Sequence, residues 1–175
     1  MAINTNLHFN LANMNKVFLI LFLSLPLLSI SQNLNKEEVI GTWGVVKSEF
    51  YLDDNLVRKV YVNENTNDTV IEGPRMGDGD EKFDQFVKMF QNSSLYFGKN
   101  DSFSWDITDE TFRLTDKYWT VIPQTNTISV TEWKDKNTKK GKLAEFVVSS
   151  LENDKMVLYV NDSGVELKFY VVRKK

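Results

Sequence analysis

The chain has 175 residues, enough for one domain and a leader, since domains commonly run to about 100–200 residues. Its 42% hydrophobic and 13% aromatic content excludes a disordered composition, and a net charge of −3 argues against the basic stripe of a dedicated nucleic-acid binder. There is no cysteine and a single histidine, His8, so a chain processed beyond His8 has no disulfide, no ordinary zinc site and neither Ser-His-Asp nor Cys-His catalysis.

The first stretch reads as a leader. Lys16 precedes an apolar run over residues 17–30, interrupted by Ser24, Pro26 and Ser29, and small residues stand at Ser29 and Ser31. A positive start, an apolar middle and a small-x-small site form the pattern of a cleavable signal peptide. A membrane anchor would need about 20 apolar residues, more than this interrupted run supplies. We therefore expect residues 1–31 to be an N-terminal extension and signal peptide, cut between Ser31 and Gln32. Residues 32–175 would then be the mature domain, secreted or periplasmic, with no integral membrane span. Either Met1 or Met14 serves as the start in this reading. No cysteine follows the cut, which closes the bacterial lipoprotein route, and Lys16 is the only charged residue removed, leaving 20 basic and 24 acidic residues, or −4.

Along the mature chain, Asn35 followed by Glu37 and Glu38 predicts one capped helical turn closing an end of the fold. A strand follows over residues 39–52, in which Trp43, Val45, Lys47 and Glu49 share one phase and Val46, Ser48 and Phe50 the other. Asp53-Asp54-Asn55 is a turn. Residues 56–62 alternate as a second strand, and Thr69-Val70-Ile71 reads as a short edge strand. Gly73-Pro74 and Gly77-Asp78-Gly79 exclude regular structure between them. Residues 80–91 then become helical, with Phe83, Phe86, Val87 and Phe90 on one face, and Asp78 and Glu81 at capping-box spacing.

From residue 92 onward the pattern is all β. Residues 95–97 and 102–107 flank a hairpin turn at Gly98-Lys99-Asn100-Asp101. Residues 112–114 continue the strand pattern, and residues 118–122 and 127–133 pair around Pro123. A lysine-rich connection over 135–141 leads to strands at 143–151, 155–160 and 165–173. Strands at this spacing with turn signals between them indicate a sandwich or barrel.

The Gly41-Thr42-Trp43 opening on the first strand, with Val171-Val172-Arg173 at the end of the last, resembles the lipocalin and fatty-acid-binding (calycin) barrels. Leu95 to Trp105 is similar to the second-strand hairpin of lipocalin-like domains in small secreted bacterial proteins, and the last two strands resemble their closing hairpin. The resemblance implies an all-β, antiparallel lipocalin-like barrel of about eight to ten strands with one inserted amphipathic helix. It also implies that Arg173 packs across Trp43. The insertion over residues 63–91 departs from the simplest pattern.

Gly41, Trp43 and Arg173 are read as a structural closure of the barrel rather than as ligand contacts. The acids Asp78, Asp80, Glu81 and Asp84 lack the EF-hand spacing and are read as carboxylates complementing a helix N-terminus, so no metal and no cofactor is assigned. Glu49, Asp106, Glu132 and Glu145 stand on strands and are read as facing solvent; no catalytic residue is named. Phe97, Phe103, Trp105, Tyr118 and Trp133 are the candidates for lining an apolar cavity. Trp105 shares its face with Phe103 and Ile107, while the inward phase around Tyr118 stays open, as does the choice between a hollow barrel and a filled one. The function this favours is burial of a small apolar ligand. The alternative is a cell-envelope interaction module with a filled barrel and an unidentified protein partner. Nucleic acid is not a partner in either.

Overall fold

The computed structural model describes residues 33–74, 77, 79–134, 141–162 and 164–175. The leader with its two candidate starts, Asp78 and residues 135–140 lie outside the described residues. The elements in order are α1 (Lys36–Val39), β1 (Gly41–Leu52), β2 (Asn55–Val62), β3 (Thr69–Glu72), α2 (Asp80–Lys88), β4 (Ser94–Phe97), β5 (Ser102–Asp106), β6 (Leu114–Ile122), β7 (Thr127–Thr131), β8 (Lys142–Glu152), β9 (Lys155–Asp162) and β10 (Val165–Arg173).

All neighbouring strands pair antiparallel, and β1 also pairs with β10, which closes β1 and β4–β10 into an eight-stranded barrel. The hairpin β2–β3 extends the sheet outside the ring. One edge of β1 is bonded to β10 along its length. Its other edge is shared, with Gly41–Gly44 on β4 and Lys47–Leu52 on β2. The sheet therefore forks between Gly44 and Lys47. Backbone groups at a fork must still be satisfied. The segment after α2 does this: Val45 N–H donates to the Ser93 carbonyl at 3.0 Å, and the Gln91 amide donates to the Val46 carbonyl at 3.2 Å.

The expected single alternation along β1 is corrected by a bulge between Val45 and Lys47. An extra residue in one strand reverses the side-chain phase beyond it. Trp43 and Val45 point inward, Val46 is exposed, and Ser48 and Phe50 point inward. Lys47 and Glu49 are thereby turned to the outer face, in register with Tyr170 and Lys168 of β10. Further expectations change: α2 ends at Lys88 rather than at residue 91, and β7 at Thr131 rather than at residue 133. Residues 112–113 belong to the β5–β6 connection, not to a strand. The N-cap of α2 is Gly79 without a side-chain cap bond.

The interior is filled by inward residues of every barrel strand. Trp43, Leu95, Phe97, Phe103, Trp119, Ile128, Phe146, Leu158 and Phe169 are all buried. Each such side chain contributes about 1.5–3 kcal/mol by leaving water. The rings interlock, with Phe97 5.2 Å from Phe103 and 5.1 Å from Trp119 between centroids. α2 lays its apolar face on this interior: Phe50 lies 6.0 Å from Phe83 and 5.9 Å from Phe90, edge-on or tilted, as aromatic pairs prefer.

The up-and-down order sorts the connections to two ends. The base holds α1, the β4–β5, β6–β7 and β8–β9 turns and the C-terminus. The mouth holds the β1–β2, β5–β6, β7–β8 and β9–β10 connections and the C-terminal end of α2. No helix among the described residues is long and apolar enough to cross a membrane.

Candidate functional site

At the base, Trp43 and Arg173 are direct cross-strand partners, and the guanidinium carbon stands 4.2 Å from the indole centroid. That is within cation–π reach. Both side chains also bond to the carbonyls that α1 leaves unpaired at its C-terminus. Trp43 Nε1 donates to the Val39 carbonyl at 2.7 Å, and Arg173 donates to those of Ile40 at 2.5 Å and Glu38 at 2.7 Å. Gly41 has φ +136°, and a Cβ there would sit 2.6 Å from Arg173 Nη1. Its missing side chain makes room for the guanidinium. α1 is further held by Lys36, which pairs with Asp101 and lies 5.2 Å from the Trp119 ring, and by its Asn35 cap on Glu37 N–H at 3.1 Å.

The mouth is different. A pocket of about 290 Å³ opens there between Phe90, Trp105, Ile107 and Leu114 on one side and Ala144, Phe146, Leu167 and Phe169 on the other. Phe112 and Leu143 line it at the rim and are both largely exposed. The polar side-chain groups among the described lining residues are the Thr111 hydroxyl and the Trp105 indole N–H, and the latter already donates to Ser93 Oγ at 3.1 Å. The volume falls just below the roughly 300–1,000 Å³ of small-molecule sites, and the lining is mostly apolar as in such sites.

Of the five aromatics expected to line a cavity, only Trp105 lines the mouth pocket. Phe97 and Phe103 are packed below it in the interior. Tyr118 points outward into a groove on the outer face of β6–β8, because Trp119 takes the inward phase. Trp133 lies exposed in the β7–β8 connection, where a Cβ at Gly141 would meet its ring at 2.5 Å. The lining residues of the mouth pocket not among those candidates include the aromatics Phe90, Phe112, Phe146 and Phe169 and the aliphatic Leu143, Ala144 and Leu167.

Beside α2, Arg58 is buried and binds Asp84 through Nε at 2.8 Å and Asp80 through Nη2 at 2.5 Å, with the Val57 and Pro74 carbonyls on Nη1. Two of the acids considered for a metal are thus engaged in tying α2 to β2. Among the described residues no group of three or more acids or histidines is arranged to hold a metal ion. On the outer face, Glu49 accepts from Tyr170 at 2.9 Å and Tyr51 at 3.0 Å and pairs with Lys47 at 2.8 Å. Burial pushes its pKa up, but these hydrogen bonds outweigh burial and hold it below the usual 4.5. Burial and Glu49 push the Tyr51 phenol up to about 12.

Comparison with known protein families, with curated proteins and with solved structures found no match. The barrel, closed by β1–β10 pairing and carrying two helices, is consistent with a calycin-like fold.

Proposed function

We propose that this protein is a secreted or periplasmic lipocalin-like carrier that takes a small apolar ligand into the mouth pocket. The observation that carries this reading is the pocket itself: an apolar recess of about 290 Å³ that the barrel's own side chains leave unfilled. Burial of an apolar molecule there is favourable by about 25 cal/mol per Å² removed from water. Trp105, Phe90 and Phe146 would form its floor, Phe112 and Leu143 its rim, and Thr111 its polar handle. Phe97 and Phe103 would act indirectly, by holding the floor rigid. Gly41, Trp43 and Arg173 would close the base. The signal-like pattern of residues 1–31 supports export.

The test is titration with 1-anilinonaphthalene-8-sulfonate. The expected result is saturable fluorescence enhancement that Ala144→Phe, which fills the pocket, abolishes. Equal enhancement in both proteins would refute the reading. A second reading, a cell-envelope docking module, draws on one observation. Of the nine exposed large apolar side chains among the described residues, six lie at the mouth end: Leu52, Leu56, Phe112, Trp133, Leu143 and Val165. It is favoured if the dye does not bind and a protein cross-links to these residues.

A further inference from the structure

We propose that the groove across the outer face of β6, β7 and β8 is a second binding site, for a neutral saccharide. The groove measures about 410 Å³ and is distinct from the mouth pocket inside the barrel. It arises from an ordering of side-chain size. On this face, Thr120 lies in register with Ser129 and Ser129 with Glu145; Tyr118 lies in register with Thr131 and Thr131 with Lys142. The middle strand thus presents only short hydroxyl side chains. Longer ones, Tyr118 and Ile122 on one flank and Lys142 and Glu145 on the other, stand up around them. Small residues flanked by large ones leave a trough, and Gln124 stands at its base end.

The chemistry of the trough selects the ligand. Among the described residues, the hydroxyls of Tyr118, Thr120 and Ser129 and the amide of Gln124 have no side-chain hydrogen bond within the protein. Each of these groups both donates and accepts. A ligand that satisfies such a set carries a row of hydroxyls of its own. An apolar ligand would bury them unpaired, which is penalised. Among the described lining residues, Lys142 is paired with Glu145 at 2.6 Å and Asp101 with Lys36, which leaves the exposed Lys134 as the single unpaired charge at the edge of the groove and no cluster of charges to select an ionic ligand. An added peptide strand has no edge to join, since β7 is bonded to β6 on one side and β8 on the other. The Tyr118 ring, Ile122 and Pro123 give apolar surface for the C–H face of a sugar ring, the amphipathic match that tyrosine provides.

The test is isothermal titration of the purified protein with maltotetraose, cellotetraose, chitotetraose and mannotetraose, each up to about 10 mM. At least one is expected to bind. Thr120→Phe, which fills the trough, should remove that binding while leaving dye uptake at the mouth unchanged, which also reports that the variant folds. Tyr118→Phe, which removes one hydroxyl, should weaken binding about two- to tenfold. Silence from all four sugars overturns the proposal. So does binding that survives Thr120→Phe, or that Tyr118→Phe leaves unchanged.

Discussion

Replacing Phe90 with alanine tests how the helix insertion is joined to the barrel. Phe90 follows α2 and is 5% exposed. Its ring lies 5.4 Å from those of Phe86 and Phe169, 5.6 Å from Trp105 and 5.9 Å from Phe50. It thus touches α2, β1, β5 and β10 at once. A buried Phe→Ala change costs about 3–5 kcal/mol, depending on how far the site collapses. Phe90 also lines the mouth pocket, so the space it leaves joins an existing opening and can be hydrated. We therefore expect the lower end, about 3 kcal/mol. For a domain of this size each kcal/mol lowers Tm by about 3–4 °C, so calorimetry should record a fall of about 10 °C. The enlarged pocket should in turn be stabilised by a saturating apolar ligand, by about 2.7 kcal/mol at one hundred times Kd. A Tm within about 2 °C of the parent would refute the reasoning, because Phe90 would then not join these elements.

Arg173→Met removes the contact with Trp43 and the bonds to the Ile40 and Glu38 carbonyls, and should lower the unfolding free energy by about 1–3 kcal/mol in urea. Arg173→Lys should recover only part of it, because an ammonium lacks the planar fork that reaches both carbonyls. Ser48 Oγ is buried with no partner, so Ser48→Ala should be neutral or stabilising by up to about 1 kcal/mol; a clear loss in the same assay would show that the hydroxyl is bonded, for instance to a trapped water. The Glu49 cluster sets a pH window. The folded carboxylate titrates below its unfolded value of 4.5, so its contribution is present above that pH and is lost as pH falls through the folded pKa. The Tyr51 phenol is raised from 10.0 to about 12, so its contribution is present below pH 10 and is lost as pH rises toward 12. In Glu49→Gln, the acid limb of a thermal stability profile should flatten; an unchanged limb would contradict this.

The barrel was legible because its elements obey local rules. Strand periodicity, the Asn35 cap and the Phe83–Phe90 face each depend on residues close in sequence, and most elements appear where those rules put them, with their ends shifted by a few residues. The phase reversal in β1 was not legible. A bulge is one extra residue, and Val46 is as good a strand residue as any other. Reading straight through it put Lys47 and Glu49 in one phase with Trp43 and Val45, although Glu49 itself was read as facing outward. The fork at Gly44–Lys47 was hidden for a related reason, since it depends on two strands, β2 and β4, competing for one edge of β1. The mouth pocket was legible only at Trp105. Phe146 and Phe169 come from the middle of distant strands and meet only in the closed barrel, and the rim residues Phe112 and Leu143 stand in a connection and at a strand start, where they obey no periodicity. Phe90 stood on the predicted helix face, whose apolar side had to dock at a barrel mouth or flank, and it lines the mouth pocket. Tyr118 was undecidable from sequence because Tyr118 and Trp119 are both suited to an interior, and Trp119 takes it.

The carrier reading is tested most directly by native mass spectrometry of the protein purified from its own host, followed by organic extraction. The account predicts an adduct of a small apolar molecule that extraction releases, that decanoate replaces when added back, and that Ala144→Phe does not retain. A bare-chain mass in both proteins, unchanged after decanoate is added, would contradict it.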